Sequence, residues 1–200
     1  MDNIPKRKAV KDLVQALALF FILFFPRAGT DTLSLSSTFF FRLPAFALLV
    51  LAENRLCLRP YRRDILVCGA AFTGLVLIGI AASAAAAVAA PVAAPHGAYR
   101  WTAALAGLFC AAYLEEGYFR VYLPGCLGAV GAKTAWSACL ASALIFALCH
   151  AYEGPWGVVN ALVSGVFLSA VYMRGRSFHG IALAHGLYNT AVLVYAAISK

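Results

Sequence analysis

The chain has 200 residues, the length of a single domain, and its composition excludes an ordinary soluble one. Hydrophobic residues make up 63% and charged residues 12% of the sequence, whereas soluble domains average about 45–50% and about 25%. The net charge of +8 does not indicate a nucleic-acid partner, because the basic residues lie between apolar runs and not on one amphipathic face. The composition predicts an integral membrane protein that is surrounded by the lipid bilayer.

Seven apolar segments have about the 17–25 residues that a helix needs to cross a bilayer. They lie at 10–28, 36–53, 65–87, 101–122, 134–152, 156–173 and 179–198. Arg42 and Pro44 interrupt the second segment, and Arg42 is interpreted as a side chain that reaches the headgroup region from a helix end. The sequence therefore predicts an all-α fold, a polytopic transmembrane helix bundle of about seven spans, with eight spans as the alternative.

The basic residues predict how these spans are oriented. Most of the 16 lysines and arginines fall in segments that lie on the same side of a seven-span chain. They are Lys6, Arg7, Lys8, Lys11, Arg55, Arg59, Arg62, Arg63, Arg120, Lys133, Arg174 and Arg176. Because an excess of Lys and Arg marks the cytoplasmic side, we expect a multi-pass protein of the cell (inner) membrane with a cytoplasmic N-terminus. An eighth span would move the C-terminus to the cytoplasmic side.

Three ionisable side chains stand together at the end of an apolar run. Residues 101–114 contain no charge, and the sequence then continues Glu115-Glu116-Gly117-Tyr118-Phe119-Arg120. A charge near the bilayer centre costs about 2.5–3.5 kcal/mol on insertion scales, so three charges without compensation would cost roughly 8–10 kcal/mol. This cluster is either a helix end whose charges reach the headgroup region or a buried acid–base site.

Other strongly polar side chains are few in the apolar segments. His150 stands at the end of the fifth segment, and His185 and Asn189 stand within the seventh. A single His or Asn in a span can serve helix packing alone. However, His185 and Asn189 are four residues apart, so they share one helix face and can present two polar groups to one point.

The spacing within the acidic cluster predicts which of its residues pair with each other. Glu116 and Arg120 are four residues apart in the favourable order for a helical ion pair, which leaves Glu115 outside that pair. Burial in an apolar cavity disfavours the charged form of a carboxyl group. Such a group can take a proton from water and return it to a leaving amine. A histidine could orient the water, and a second His and an Asn could donate hydrogen bonds to an oxyanion. These residues are the ones that water-mediated amide hydrolysis requires.

Neither a serine triad nor a conventional zinc motif is visible. No serine stands in a nucleophile-elbow motif, no H-E-x-x-H occurs, and the six cysteines have no ligand-like spacing. Glu115, His150 and His185 would be an acceptable set of zinc ligands, but the two histidines come from different segments at no diagnostic spacing. No cofactor is therefore favoured, and zinc stays open as an alternative.

Three motifs, in order along the fourth, fifth and seventh apolar segments, resemble those of a known protein family. They are Glu115-Glu116-x-x-x-Arg120, Phe146-x-x-x-His150 and His185-x-x-x-Asn189. The family that they resemble is that of the type II CAAX prenyl endopeptidases, within the wider CPBP family of intramembrane proteases, which includes bacteriocin-processing and self-immunity proteins. Val121 is a departure, since the family usually has glycine after the arginine. The resemblance covers 101 to about 198. It divides the chain into N-terminal helices without recognisable motifs, 1–100, and a CAAX-protease-like core, 101–200.

The resemblance implies an intramembrane endopeptidase that cleaves a membrane-associated protein or peptide, lipidated or hydrophobic. The implied roles are activation of water by Glu115 with His150, an oxyanion site of His185 with Asn189, and support by Glu116 and Arg120. A metal-free mechanism is favoured over a zinc-dependent variant. Two other classes stay open: a non-proteolytic relative with an immunity or scaffold role, and a transporter, for which no inverted repeat is visible.

The depth of His150 is a geometric difficulty for this interpretation. His150 lies 17 residues past Lys133, or roughly 25 Å of helix, so it should face the side of the membrane opposite to Glu115. The two would meet if the fourth helix continued beyond Leu123, or if the fifth began well into the cytosol. The sequence leaves both arrangements open.

Overall fold

The computed structural model describes residues 4–24, 42–52, 60–86 and 95–199, and within these ranges the chain is helical and contains no strand. In chain order the helices are α1 Ile4–Phe24, α2 Leu43–Ala52, α3 Arg62–Ala86, α4 Ala98–Glu116, α5 Leu123–Ala129, α6 Ala135–Leu148, α7 Gly154–Gly175 and α8 Phe178–Ile198. The all-α helical bundle predicted from the sequence is confirmed.

Three helices are long and apolar enough, by length and composition, to cross a membrane. They are Arg62–Ala84, Ala151–Gly175 and Phe178–Ile198, and they coincide with the third, sixth and seventh predicted spans. α1 and α2 overlap the first two predicted spans, of which residues 25–28, 36–41 and 53 lie outside the described ranges. The total of seven spans stays a prediction.

α6 is shorter than the predicted span 134–152. It has 14 residues, about 21 Å of helix, against a hydrocarbon core of about 30 Å. It begins at a capping box, in which Thr134 and Ser137 each bond the backbone N–H of the other. It ends at Leu148, so His150 lies in the turn that leads to α7 and not inside a helix.

The helical segment that begins with α4 does not end near residue 122 as predicted. A wide π-helical turn, Gly117–Tyr122, joins it to α5, so that the helix continues from 98 to 129. Pro124 accounts for the wide turn, because in a regular α-helix its ring would collide with the Arg120 carbonyl four residues earlier. The Leu123 N–H instead reaches back five residues to the Tyr118 carbonyl. Glu115 therefore lies near the middle of a long helix, which is the first of the two arrangements that could bring it to the level of His150.

α3 and α8 begin at the same end of the bundle. Asp64, in the first turn of α3, accepts hydrogen bonds from the Tyr61 backbone N–H at 2.6 Å and from the Ser177 hydroxyl. Ser177 also caps α8, since its Oγ accepts from the Gly180 N–H at 3.1 Å. This contact brings together the four arginines beside the two caps, as the predicted topology requires: Arg62, Arg63, Arg174 and Arg176.

α8 packs closely on α4 at Gly186. A Cβ added to Gly186 would lie 2.6 Å from Cδ1 of Phe109, so the two helices approach this closely only because the residue is glycine. We expect Gly186→Ala to lower the free energy of unfolding by about 1–3 kcal/mol, the usual cost of overpacking. Thermal unfolding in detergent measures the change. Gly69→Ala is the matched control, because a Cβ there meets nothing within 4 Å, and equal stability of the two variants would contradict the contact.

Candidate active site

The four candidate catalytic residues line one cavity. Glu115 comes from α4, His150 from the turn after α6, and His185 and Asn189 from α8, and the cavity that they face has a volume of about 760 Å³. Its other polar wall residues are Arg42, Tyr152, Glu153, Asn160, Ser164 and Tyr188. Three motifs that are far apart in the sequence are thus brought to one place.

Glu116 joins the buried ion pair to one of the two histidines. Its Oε2 lies 3.0 Å from Nε of Arg120, and its Oε1 lies 2.8 Å from Nδ1 of His185. The side chains of Glu116 and Arg120 are fully buried, behind the cavity wall. The predicted i,i+4 pair is therefore confirmed as a contact. A buried pair needs further hydrogen bonds to offset its desolvation, and His185 supplies one.

The hydrogen bonds of the two histidines determine which ring nitrogen can act. His150 Nδ1 lies 2.9 Å from the Phe146 carbonyl oxygen, and His185 Nδ1 lies 2.8 Å from the Glu116 carboxylate. Both partners are acceptors, so Nδ1 carries the proton in each ring. Nε2 is then the nitrogen that a reactant can use: it accepts a hydrogen bond in the neutral ring and donates one in the imidazolium.

The Phe146 ring connects the ion pair with His150. The guanidinium carbon of Arg120 lies 4.6 Å from the ring centroid, within cation–π range, and the His150 ring centroid lies 4.5 Å away. Phe119 packs edge-on against the same ring at 5.2 Å. The spacing Phe146-x-x-x-His150 thus has a physical reason, because the Phe146 ring packs against the imidazole and the Phe146 carbonyl accepts a hydrogen bond from its Nδ1–H.

Glu115 and Glu116 face different surroundings although they are adjacent. Successive residues of a helix are separated by about 100°, so Glu115 can line the cavity while Glu116 contacts Arg120 and His185. Glu115 is 5% exposed, and it interacts with neighbouring groups, so its carboxylate is not isolated. The geometry places one glutamate at the cavity and the other behind its wall.

Sequence reasoning missed several residues of the cavity wall. The interpretation of Arg42 as reaching the headgroups is wrong, since its Nη1 donates to the Gly107 carbonyl at 2.7 Å and its side chain lines the cavity. Tyr188 also lines the cavity, and its hydroxyl lies 2.4 Å from where a Cβ of Gly79 would be. The sequence signals for this contact were Gly79 in α3 and Tyr188 within the last motif, and neither residue is specific enough to predict it.

The three residues that a zinc ion would need share the cavity without forming a ligand set. In the described parts of the chain, no three His, Cys, Asp or Glu side chains are arranged to hold a metal ion. His185 has its Nδ1 committed to Glu116, so only Nε2 could serve as a ligand. Glu115, His150 and His185 therefore do not fit a metal in this arrangement.

Residues 96–191 match the family model described as Type II CAAX prenyl endopeptidase Rce1-like. The matched range contains all three motifs and the whole Glu116 network. No curated protein and no solved structure matches the chain significantly. Together with the three apolar helices, the match identifies an integral membrane protein.

Proposed function

Since residues 96–191 match the family model of Rce1-like type II CAAX prenyl endopeptidases, we propose that this chain is an intramembrane endopeptidase. Its substrate is a membrane-associated protein or peptide that is held in the bilayer by a prenylated or hydrophobic segment. The reaction is hydrolysis of one peptide bond by water. The observation that carries the proposal is that Glu115, His150, His185 and Asn189 all line the same cavity.

Glu115 is the general base of this mechanism. It takes one proton from a water molecule, while Nε2 of His150 accepts a hydrogen bond from the other hydrogen and orients the oxygen. The water oxygen bonds to the scissile carbonyl carbon, and the carbonyl electron pair moves to its oxygen. Glu115 then gives the proton to the leaving nitrogen as the C–N bond breaks. One water is consumed, and a carboxyl group and an amine are formed.

Asn189 and His185 stabilise the oxyanion. The Asn189 amide donates through Nδ2, and it lies one helical turn after His185 on the same face. His185 donates through Nε2 in its imidazolium form, because its Nδ1 proton is already used by Glu116. Removal of one such donor typically costs about 10²- to 10³-fold in kcat. The Glu116–Arg120 pair holds the His185 ring in the required direction.

The proposed location is the cell (inner) membrane, with the N-terminus in the cytoplasm. Two arginine pairs support this orientation, because Arg62 and Arg63 lie at the same end of the bundle as Arg174 and Arg176. An end rich in arginine is favoured on the cytoplasmic side. Under this orientation α3 and α8 both begin in the cytoplasm.

Cleavage of an anchored peptide by the chain in liposomes tests the function. Three peptides serve as probes: one that ends in a farnesylated C-a-a-X sequence, the same sequence without the farnesyl group, and a hydrophobic transmembrane peptide. We expect mass spectrometry to detect cleavage of an anchored peptide and little of the free one. If the folded protein cleaves none of them, the proposal is wrong, and the polar network serves packing as in a non-proteolytic relative.

The proposed mechanism also predicts the effect of chelators. We expect cleavage to continue in 1,10-phenanthroline, because proton transfer by Glu115 needs no metal. Metal analysis of the active, purified chain is the second measurement, and it should find no stoichiometric zinc. Loss of activity that only zinc restores would contradict this prediction and would make Glu115, His150 and His185 the candidate ligands.

A further inference from the structure

The wide turn Gly117–Tyr122 begins directly after the two glutamates and is bound by a side chain of a neighbouring helix. We propose that Ser142 of α6 is a positioning residue, which keeps this turn open and thereby sets the directions in which Glu115 and Glu116 point. The inference rests on the proposed function, since it concerns the same site. It adds a residue that lies outside the three motifs.

The Phe119 carbonyl accepts a hydrogen bond from the Ser142 side chain and not from the N–H four residues later. In a regular α-helix the donor would be the Leu123 N–H, but that group reaches the Tyr118 carbonyl. The next residue, Pro124, has no N–H. Ser142 Oγ donates to the Phe119 oxygen at 2.6 Å. Because a buried carbonyl without a partner is unfavourable, Ser142 stabilises the wide turn relative to a regular helix.

The wide turn sets the rotation between the two parts of the helix. Each residue of an α-helix turns the chain by about 100°, so the extra residue of a wide turn rotates α4 by about that angle relative to α5. With a regular turn, Glu115 would point away from the cavity and Glu116 away from His185. The hydrogen bond at Phe119 therefore determines which groups the two glutamates meet.

Helix α6 carries both Ser142 and the residues that position His150. Ser142 is fully buried, and it lies one turn before Phe146, whose carbonyl accepts a hydrogen bond from Nδ1–H of His150. The Phe146 ring packs against Phe119, the residue whose carbonyl Ser142 binds. Ser142 lies behind the cavity wall. It thus acts through the turn and not by touching a substrate.

Ser142→Ala removes the donor and little else. We expect kcat for the farnesylated C-a-a-X peptide to fall about 10- to 100-fold, the effect of a small misplacement of catalytic groups, with KM nearly unchanged. Ser169→Ala is the matched control. Ser169 is equally buried and donates to the Gly165 carbonyl at 2.8 Å, but within the regular helix α7, so its loss should leave kcat as in the wild type.

Ser142→Thr and Ser142→Val separate the hydrogen bond from the space that the side chain fills. Threonine and valine have nearly the same shape, and only threonine can donate to the Phe119 carbonyl. We expect the threonine variant to keep a kcat at least about tenfold above that of the valine variant. Equal kcat values in the two variants would overturn the inference, because packing alone would then explain the effect of alanine.

Amide hydrogen exchange measures the protection of the backbone N–H groups of the turn independently of catalysis. Peptides that cover 117–123 should exchange faster in Ser142→Ala than in the wild type, and Ser169→Ala should leave them unchanged. If the exchange pattern appears but the wild type cleaves no peptide, the proposed function is wrong, and the stabilisation of the turn by Ser142 is confirmed. If the wild type cleaves and Ser142→Ala keeps its kcat, the positioning role is wrong.

Discussion

Glu115→Gln is expected to lower kcat for peptide hydrolysis about 10²- to 10⁴-fold, the contribution typical of a general acid–base group, with little change in KM. Glutamine keeps the shape of glutamate but cannot take a proton from the attacking water or return it to the leaving amine. Because Glu115 is only 5% exposed, bulk solvent cannot readily replace it. Single-turnover cleavage of the farnesylated C-a-a-X peptide in liposomes measures the loss.

Glu153→Gln is the matched comparison, because it makes the same chemical change at an exposed residue of the same cavity. It should keep wild-type turnover. Loss of activity in Glu153→Gln alone would move the base to Glu153. His150→Ala should also lose activity, since no imidazole then orients the water. If Glu115→Gln and His150→Ala both keep wild-type turnover while folded, the catalytic assignment is wrong.

The contacts that the sequence predicts correctly are local ones. The pairing of Glu116 with Arg120 follows from helical spacing alone, and the structure has the contact at 3.0 Å. His185 and Asn189 share a face for the same reason, and both line the cavity. The candidate residues stood out because ionisable groups are costly in apolar segments, so each one needs an explanation.

The contacts that the sequence could not predict join residues that are distant in the chain. The bond from His185 to Glu116 spans 69 residues, and the bond from Arg42 to the Gly107 carbonyl spans 65. Hydropathy stays high to Cys149, so it does not mark the end of α6 at Leu148. A local sequence pattern indicates the candidate residues, but the packing of the helices determines which residues they contact.

The wide turn shows why a local signal can be ambiguous. A proline inside a helical segment usually ends or kinks the helix, and Pro124 follows the predicted fourth span, 101–122. In the structure it lies just after a change of helical register, and Ser142 on another helix donates to the Phe119 carbonyl, to which the proline cannot donate. The effect of the proline therefore depends on a residue that sequence reasoning did not connect with it.

Glu116→Gln is expected to lower the free energy of unfolding by about 3–5 kcal/mol, the range found when one partner of a buried ion pair is removed. Arg120 is only 2% exposed, so its charge would stay in the interior without a counter-charge on Glu116. For a chain of this size the melting temperature in detergent should fall by on the order of 10 °C. A change below about 1 kcal/mol, the range of surface pairs, would contradict the burial of the pair.

The double variant Glu116→Gln with Arg120→Met separates stability from catalysis. Removing both charges relieves the uncompensated guanidinium, so most of the lost stability should return. Activity should not return, because a neutral amide is a weaker acceptor than a carboxylate for the Nδ1 proton of His185 and no longer favours the imidazolium that donates to the oxyanion. A double variant as unstable as the single one would show that Arg120 is not the decisive partner. A double variant with wild-type kcat would show that the network does not prepare His185 for the reaction.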